Sequence, residues 1–137
     1  MTRDEFEKLV SAAVDALPAQ FLARLKNVAI VVEDEPESEQ KSRAGVGAQH
    51  ELLGLYEGTP GTVYGSHYFK MLPDKITIYR GPIERAAHND PARIGEIVHE
   101  VVWHEVGHYF GISEKRIREL ERKRRLRPGH RSIDKAG

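Results

Sequence analysis

The sequence predicts an α+β fold, a small sheet with a long apolar helix packed on it. Three observations predict it. Val28-Ala29-Ile30-Val31-Val32 is a compact β-branched run of strand length, and Lys75-Ile76-Thr77-Ile78-Tyr79-Arg80 alternates polar and apolar residues. The stretch from Pro91 to about Phe110 is apolar nearly all round at helical period, the pattern of a buried central helix. The elements follow in the order helix, strand, strands, helix, helix, with no internal repeat.

Taken in order, Thr2 or Asp4 is placed to cap a first helix, whose buried face is Phe6, Leu9, Val10, Ala13, Val14 and Leu17. Pro18 ends that helix or begins a short second one carrying Phe21, Leu22 and Leu25. The strand at 28–32 follows. The acidic segment from Glu33 to Gln40, and the Gly- and Ser-punctuated residues up to His50, read as a solvated connector. Leu52 to Tyr56 reads as a strand, and Glu57-Gly58-Thr59-Pro60-Gly61 as a turn with Glu57 in it. Val63 to Phe69 is aromatic-rich, either a strand or a loop beside the active face. The strand at 75–80 is stopped by Gly81-Pro82. Asn89 or Asp90 before Pro91 starts the long helix, with proline at its first position. Val102, Trp103, Val106 and Phe110 form its back face, and Ile97 and Val101 flank its other side. Gly107 within it points to close packing against another element. A last helix runs from Glu114 to about Leu126 over Ile117 and Leu120. The expected organisation is one domain over 1–126 and a basic flexible tail over 127–137.

The chain has 137 residues, a formal net charge of zero and no cysteine. The balance argues against a global field for nucleic acid or membrane. The lack of cysteine excludes disulfides and cysteine-based zinc sites, so any zinc must be held by His, Asp or Glu. No apolar run approaches membrane-spanning length, and the charged N-terminus has no export signal. The expectation is a cytoplasmic protein.

The chemistry concentrates in His104-Glu105-Val106-Gly107-His108, the pattern H-E-x-x-H. On a helix the two histidines lie about 6 Å apart along the axis on one face, where both imidazoles reach one metal ion. Glu105 lies about 100° round from His104 and can lean towards a water on the metal without ligating it. Gly111 suits a left-handed C-terminal turn that brings Glu114 back towards the metal, at the spacing H-E-x-x-H-x-x-G-x-x-E. The expected ligands are therefore His104, His108 and Glu114 on Zn2+, with Glu105 as general base. The expected reaction is hydrolysis of a peptide carbonyl by metal-activated water, with a peptide or protein as substrate. Ile76-Thr77-Ile78 is read as a substrate-pairing edge, and Tyr79 or Tyr68 as an oxyanion stabiliser.

Residues 104–113, with Gly54-Leu55-Tyr56-Glu57-Gly58 and Leu72-Pro73-Asp74-Lys75-Ile76 upstream, resemble a small bacterial zincin-like family of zinc metallopeptidases. The resemblance covers about residues 50–125. It implies a minimal zincin fold, with a mixed sheet, an active-site helix, and a C-terminal helix after the glycine turn. It also implies zinc on the two histidines plus an acidic residue at Glu114, where that family usually carries an aspartate one methylene shorter. No metzincin Met-turn follows the motif, and Met71 lies upstream.

Other features read more plainly. His99 lies about 140° round the helix from His104 and is expected to pack structurally rather than ligate. His50, His67, His88 and His130 fall in expected loops or the tail, with His67 between Tyr64 and Tyr68. The basic run from Lys115 to Arg127 reads as a solvated helix face. Its functional alternative is an anionic partner, nucleic acid included, or the acidic 33–39 segment. A second reading of the whole is a zinc-stabilised, non-catalytic binding module.

Overall fold

The structure, a computed structural model, describes residues 1–25, 28–47, 49–58 and 74–125. Its elements are α1 (Arg3–Asp15), α2 (Ala19–Leu22), β1 (Val28–Glu33), α3 (Ser38–Arg43), β2 (Gly54–Glu57), β3 (Asp74–Tyr79), α4 (Arg80–Ala86), α5 (Pro91–Tyr109) and α6 (Glu114–Arg125). This is the expected α+β arrangement, a small mixed sheet with an apolar helix across it, as in a minimal zincin-like fold.

The sheet order is β1-β3-β2, with β1 parallel and β2 antiparallel to β3. The register sets Ile30 beside Ile76 and Val32 beside Ile78 on one side, and Gly54 beside Ile78 and Tyr56 beside Ile76 on the other. Side chains alternate along a strand, so these residues share the face that packs on α1 and α5. The core between them comprises Phe6, Val10, Ala13, Val32, Ile76, Ile78, Ile94, Val98, Val102 and Val106, among others. Thr77 and Tyr79 point to the opposite face and are fully buried there.

Local chemistry explains the termini. Thr2 Oγ1 accepts from the Glu5 N–H while Glu5 Oε1 accepts from the Thr2 N–H, a reciprocal cap on α1. The bond from Thr2 holds the exposed Glu5 carboxyl below the usual carboxylate range.

Four expectations are corrected. The 33–50 connector contains a helix, α3, which starts at a reciprocal cap between Glu37 and Gln40. It carries no apolar stripe, and Gln40 is its buried residue, so hydropathy could not reveal it. Gly81 and Pro82 end β3 but lie inside the first turn of α4, where proline's missing N–H costs nothing. Glu57 closes β2 rather than sitting in a turn, and pairs with Arg43 at 3.1 Å and Lys75 at 3.8 Å. Finally, β3 is hydrogen-bonded on both sides, so Ile76–Ile78 cannot offer a substrate-pairing edge.

Among the described residues, no helix is long and apolar enough to cross a membrane. The expected 63–69 segment, the turn from Thr59, His67, Met71, Tyr64, Tyr68 and the tail lie outside the described residues.

Candidate metal centre

The site is built on α5. Asp90 caps it by accepting from the Ala92 N–H at 3.2 Å, and Pro91 holds its first position. The preceding turn places His88 (φ 51°) and Asn89 (φ 59°) in the left-handed region. The apolar residues of α5 bury Ile94, Ile97, Val98, Val101, Val102 and Val106 against α1 and the sheet. That fixes the rotation of the helix and so where its histidines project.

The C-terminal end is closed by a paired motif. The Gly111 N–H donates to the His108 carbonyl at 2.9 Å, and the Ile112 N–H to the Gly107 carbonyl at 3.0 Å. Gly111 takes φ 72°, which a residue with a β-carbon adopts only at a cost. The chain reverses there into α6, whose buried Ile117 seats on Gly107. A β-carbon at 107 would meet Ile117 Cδ1 at 2.8 Å. The close approach expected from Gly107 is thus made by α6.

His104, Glu105 and His108 converge. Their potential ligand atoms all lie within 4.8 Å of one another, the two rings half-buried and the carboxylate buried. The ring centroids of His104 and His108 are 4.7 Å apart at an interplanar angle of 73°. Two imidazoles and a carboxylate without thiolate form a nitrogen and oxygen donor set that zinc accepts, and the spacing lets one ion touch both rings. The set fits a metal ion on these grounds. Glu114 opens α6 directly after the glycine turn, but its side chain lies outside the described residues. His99 is half-buried on another side of α5 and is not part of the group.

β2 supports the centre in a way that sequence reasoning missed. Glu105 Oε1 accepts from the Tyr56 backbone N–H at 2.9 Å. The strand approaches α5 this closely because residue 54 is glycine. A β-carbon there would lie 2.5 Å from Val101 Cγ1 and 3.2 Å from Glu105 Cγ. Tyr56 also packs edge-on against Tyr109, with centroids 5.7 Å apart at 80°. Burial, then the neighbouring Asp74 carboxylate to which it hydrogen-bonds, pushes its phenol above the usual tyrosine range. The available signal was the two-residue period of the strand, which sets Gly54 and Tyr56 on one face. Tyr79, expected as an oxyanion stabiliser, lies on the opposite face of the sheet. Burial, then the charge of Glu33, pushes its phenol up to about 12.

Comparison with known proteins follows the same lines. A family model described as zincin-like metallopeptidase matches residues 25–124. Among solved structures, a conserved hypothetical protein from Thermo thermophilus superposes with a TM-score of 0.57 and 23% identity. The match covers 89% of this chain and 99% of that one, and it shows a shared fold. No curated protein matches the chain.

Proposed function

The chain belongs to the zincin-like metallopeptidase family, and from that premise we propose that it is a zinc-dependent peptidase with Glu105 as its general base. The observation that carries the proposal is the convergence of His104, His108 and Glu105, with one oxygen of Glu105 already held by a backbone amide. His104 and His108 would hold the zinc through their imidazole nitrogens, and Glu114, at the start of α6, would be the third ligand. A zinc ion bound there lowers the pKa of water towards neutrality and polarises a carbonyl.

The chain's own residues do the rest. The Tyr56 amide holds Oε1 of Glu105, and this oriented carboxylate takes the proton of the attacking water and later passes it to the leaving amine. The amide fixes the carboxylate before substrate arrives, so its orientation costs nothing in the reaction. β2 supplies the rim. The Tyr56 N–H points away from β3, and the carbonyl of the same residue points with it. Among the described residues β2 is an edge, so the Gly54 backbone groups and the Tyr56 carbonyl face outward beside Glu105, and an extended peptide pairs with them. This assigns the substrate-pairing edge to β2, in place of β3.

Glu105→Gln tests the assignment. Incubated with a broad peptide library and read by mass spectrometry, the wild type is expected to cut. The variant should retain its zinc and lose about 10²- to 10⁴-fold in rate. Turnover unchanged in Glu105→Gln would remove Glu105 as the base. Zinc bound with no peptide cut by the wild type would identify a binding module.

A further inference from the structure

Among the described residues, β1 is hydrogen-bonded on one side only, to β3. Its sequence Val28-Ala29-Ile30-Val31-Val32-Glu33 carries no proline or lysine, and its last residue holds its one charge. An edge of this kind pairs readily with another chain unless something protects it. The one device present among the described residues is Arg3, whose guanidinium donates to the Val32 carbonyl. That bond places the Val32 backbone on the open side of β1. Alternation then puts Ile30 and Val28 there too, so the Ile30 N–H and carbonyl face outward.

Beside this edge runs a groove of about 560 Å³ between β1 and α1, with Val10, Val14 and Ile30 among its lining. Arg3, Glu7, Ser11 and Asp15 recur along it every four residues, one stripe of the helix. Arg3 sits at the Val32 end. The chain passes from the end of α1 to the start of β1 through the short α2, so α1 runs antiparallel to β1 and Asp15 marks the other end.

We infer that this edge is a two-fold interface, in which β1 of a second copy pairs antiparallel with β1 and makes one continuous six-stranded sheet. The inference does not depend on the metal centre. The pattern is self-complementary, as a two-fold contact requires. A register centred on Ile30 sets Ile30 against Ile30 of the second copy, Val28 against Val32, and Ala29 against Val31, with the Val32 carbonyl accepting from the second copy's Val28 N–H in place of Arg3. No like charges are opposed. The same rotation brings each Arg3 to the Asp15 end of the other copy's α1. Both α1 helices stay on one face of the joined sheet, which extends the apolar layer over Val10 and Val14 across the axis.

Sedimentation equilibrium of the full chain tests this. The expected mass is twice the 15.5 kDa of one chain. Ile30→Pro removes an outward N–H and leaves the β1–β3 ladder intact. It should raise the dimer dissociation constant about thirtyfold, because the axis repeats the loss. Asp15→Arg, which leaves the strand untouched, should raise it about tenfold, and adding Arg3→Asp should restore it. A monomer at every soluble concentration overturns the inference. So does a dimer that Ile30→Pro and Asp15→Arg both leave unchanged, since it would use another face. A monomer whose Ile30 amide exchanges slowly with solvent would place another segment of the same chain on this edge, and also overturns it.

Discussion

Replacing Gly54 by alanine adds one methyl group at the point where β2 meets α5. The new carbon would lie 2.5 Å from Val101 Cγ1, 3.2 Å from Glu105 Cγ and 3.3 Å from the Thr77 carbonyl oxygen. The first is well inside van der Waals contact. Valine in a helix has essentially one rotamer, so Val101 cannot swing aside. The strand must move away from the helix, at a cost typical of an overpacked core, about 1–3 kcal/mol. For a chain of this size that lowers the melting temperature by roughly 3–15 °C. The displacement also lengthens the 2.9 Å bond from the Tyr56 N–H to Glu105, so the Tyr56 amide should exchange faster with solvent. Adding Val101→Ala removes the clashing methyl, and the double mutant should be more stable than the sum of the two single changes by about 1 kcal/mol or more. Additive effects, or a Gly54→Ala protein that melts like the wild type with Tyr56 still protected, would refute the claim that contact at residue 54 holds Glu105.

Gly111→Ala separates conformation from crowding. A β-carbon there meets nothing within 4 Å, so the cost is the left-handed backbone alone, about 1–2 kcal/mol, read by chemical unfolding. It should not be rescued by any neighbouring truncation. Tyr79 predicts an alkaline effect. Its phenol titrates near 10 unfolded and about 12 folded, so the unfolded chain releases the proton first as pH rises. Stability is full below pH ~10 and falls by about 2–3 kcal/mol up to pH ~12. Tyr79→Phe should flatten that loss in urea unfolding. It should be neutral or stabilising near neutral pH, because the buried hydroxyl has no hydrogen-bond partner among the described residues.

Legibility in the sequence followed the strength of each physical signal. α5 was readable because its caps, its proline and its apolar residues agree. Gly111 and Gly107 were readable because a left-handed turn and a close approach each demand the missing β-carbon. α3 was not, since its six residues are polar and its start depends on a cap between Glu37 and Gln40. α4 was hidden because Gly81-Pro82 reads as a stop in sequence, although proline is tolerated in a helix's first turn. β3 looked like an edge because alternation describes one strand, whereas edge or centre depends on which strands lie beside it. The same limit hid Tyr56. The two-residue period groups it with Gly54, but which edge their amides face depends on the strand beside them. Tyr79 alternates with Ile76 and Ile78 and so lies on the other face; the sequence does not say which of the two faces the metal helix covers.

The central claim is that one zinc ion belongs between His104 and His108. Elemental analysis of purified wild type, Glu105→Gln and His104→Ala after equilibration with zinc and desalting tests it most directly. About one zinc per chain is expected in the wild type and in Glu105→Gln, and none in His104→Ala. A wild type that binds no zinc, or a His104→Ala protein that keeps it, would contradict the claim.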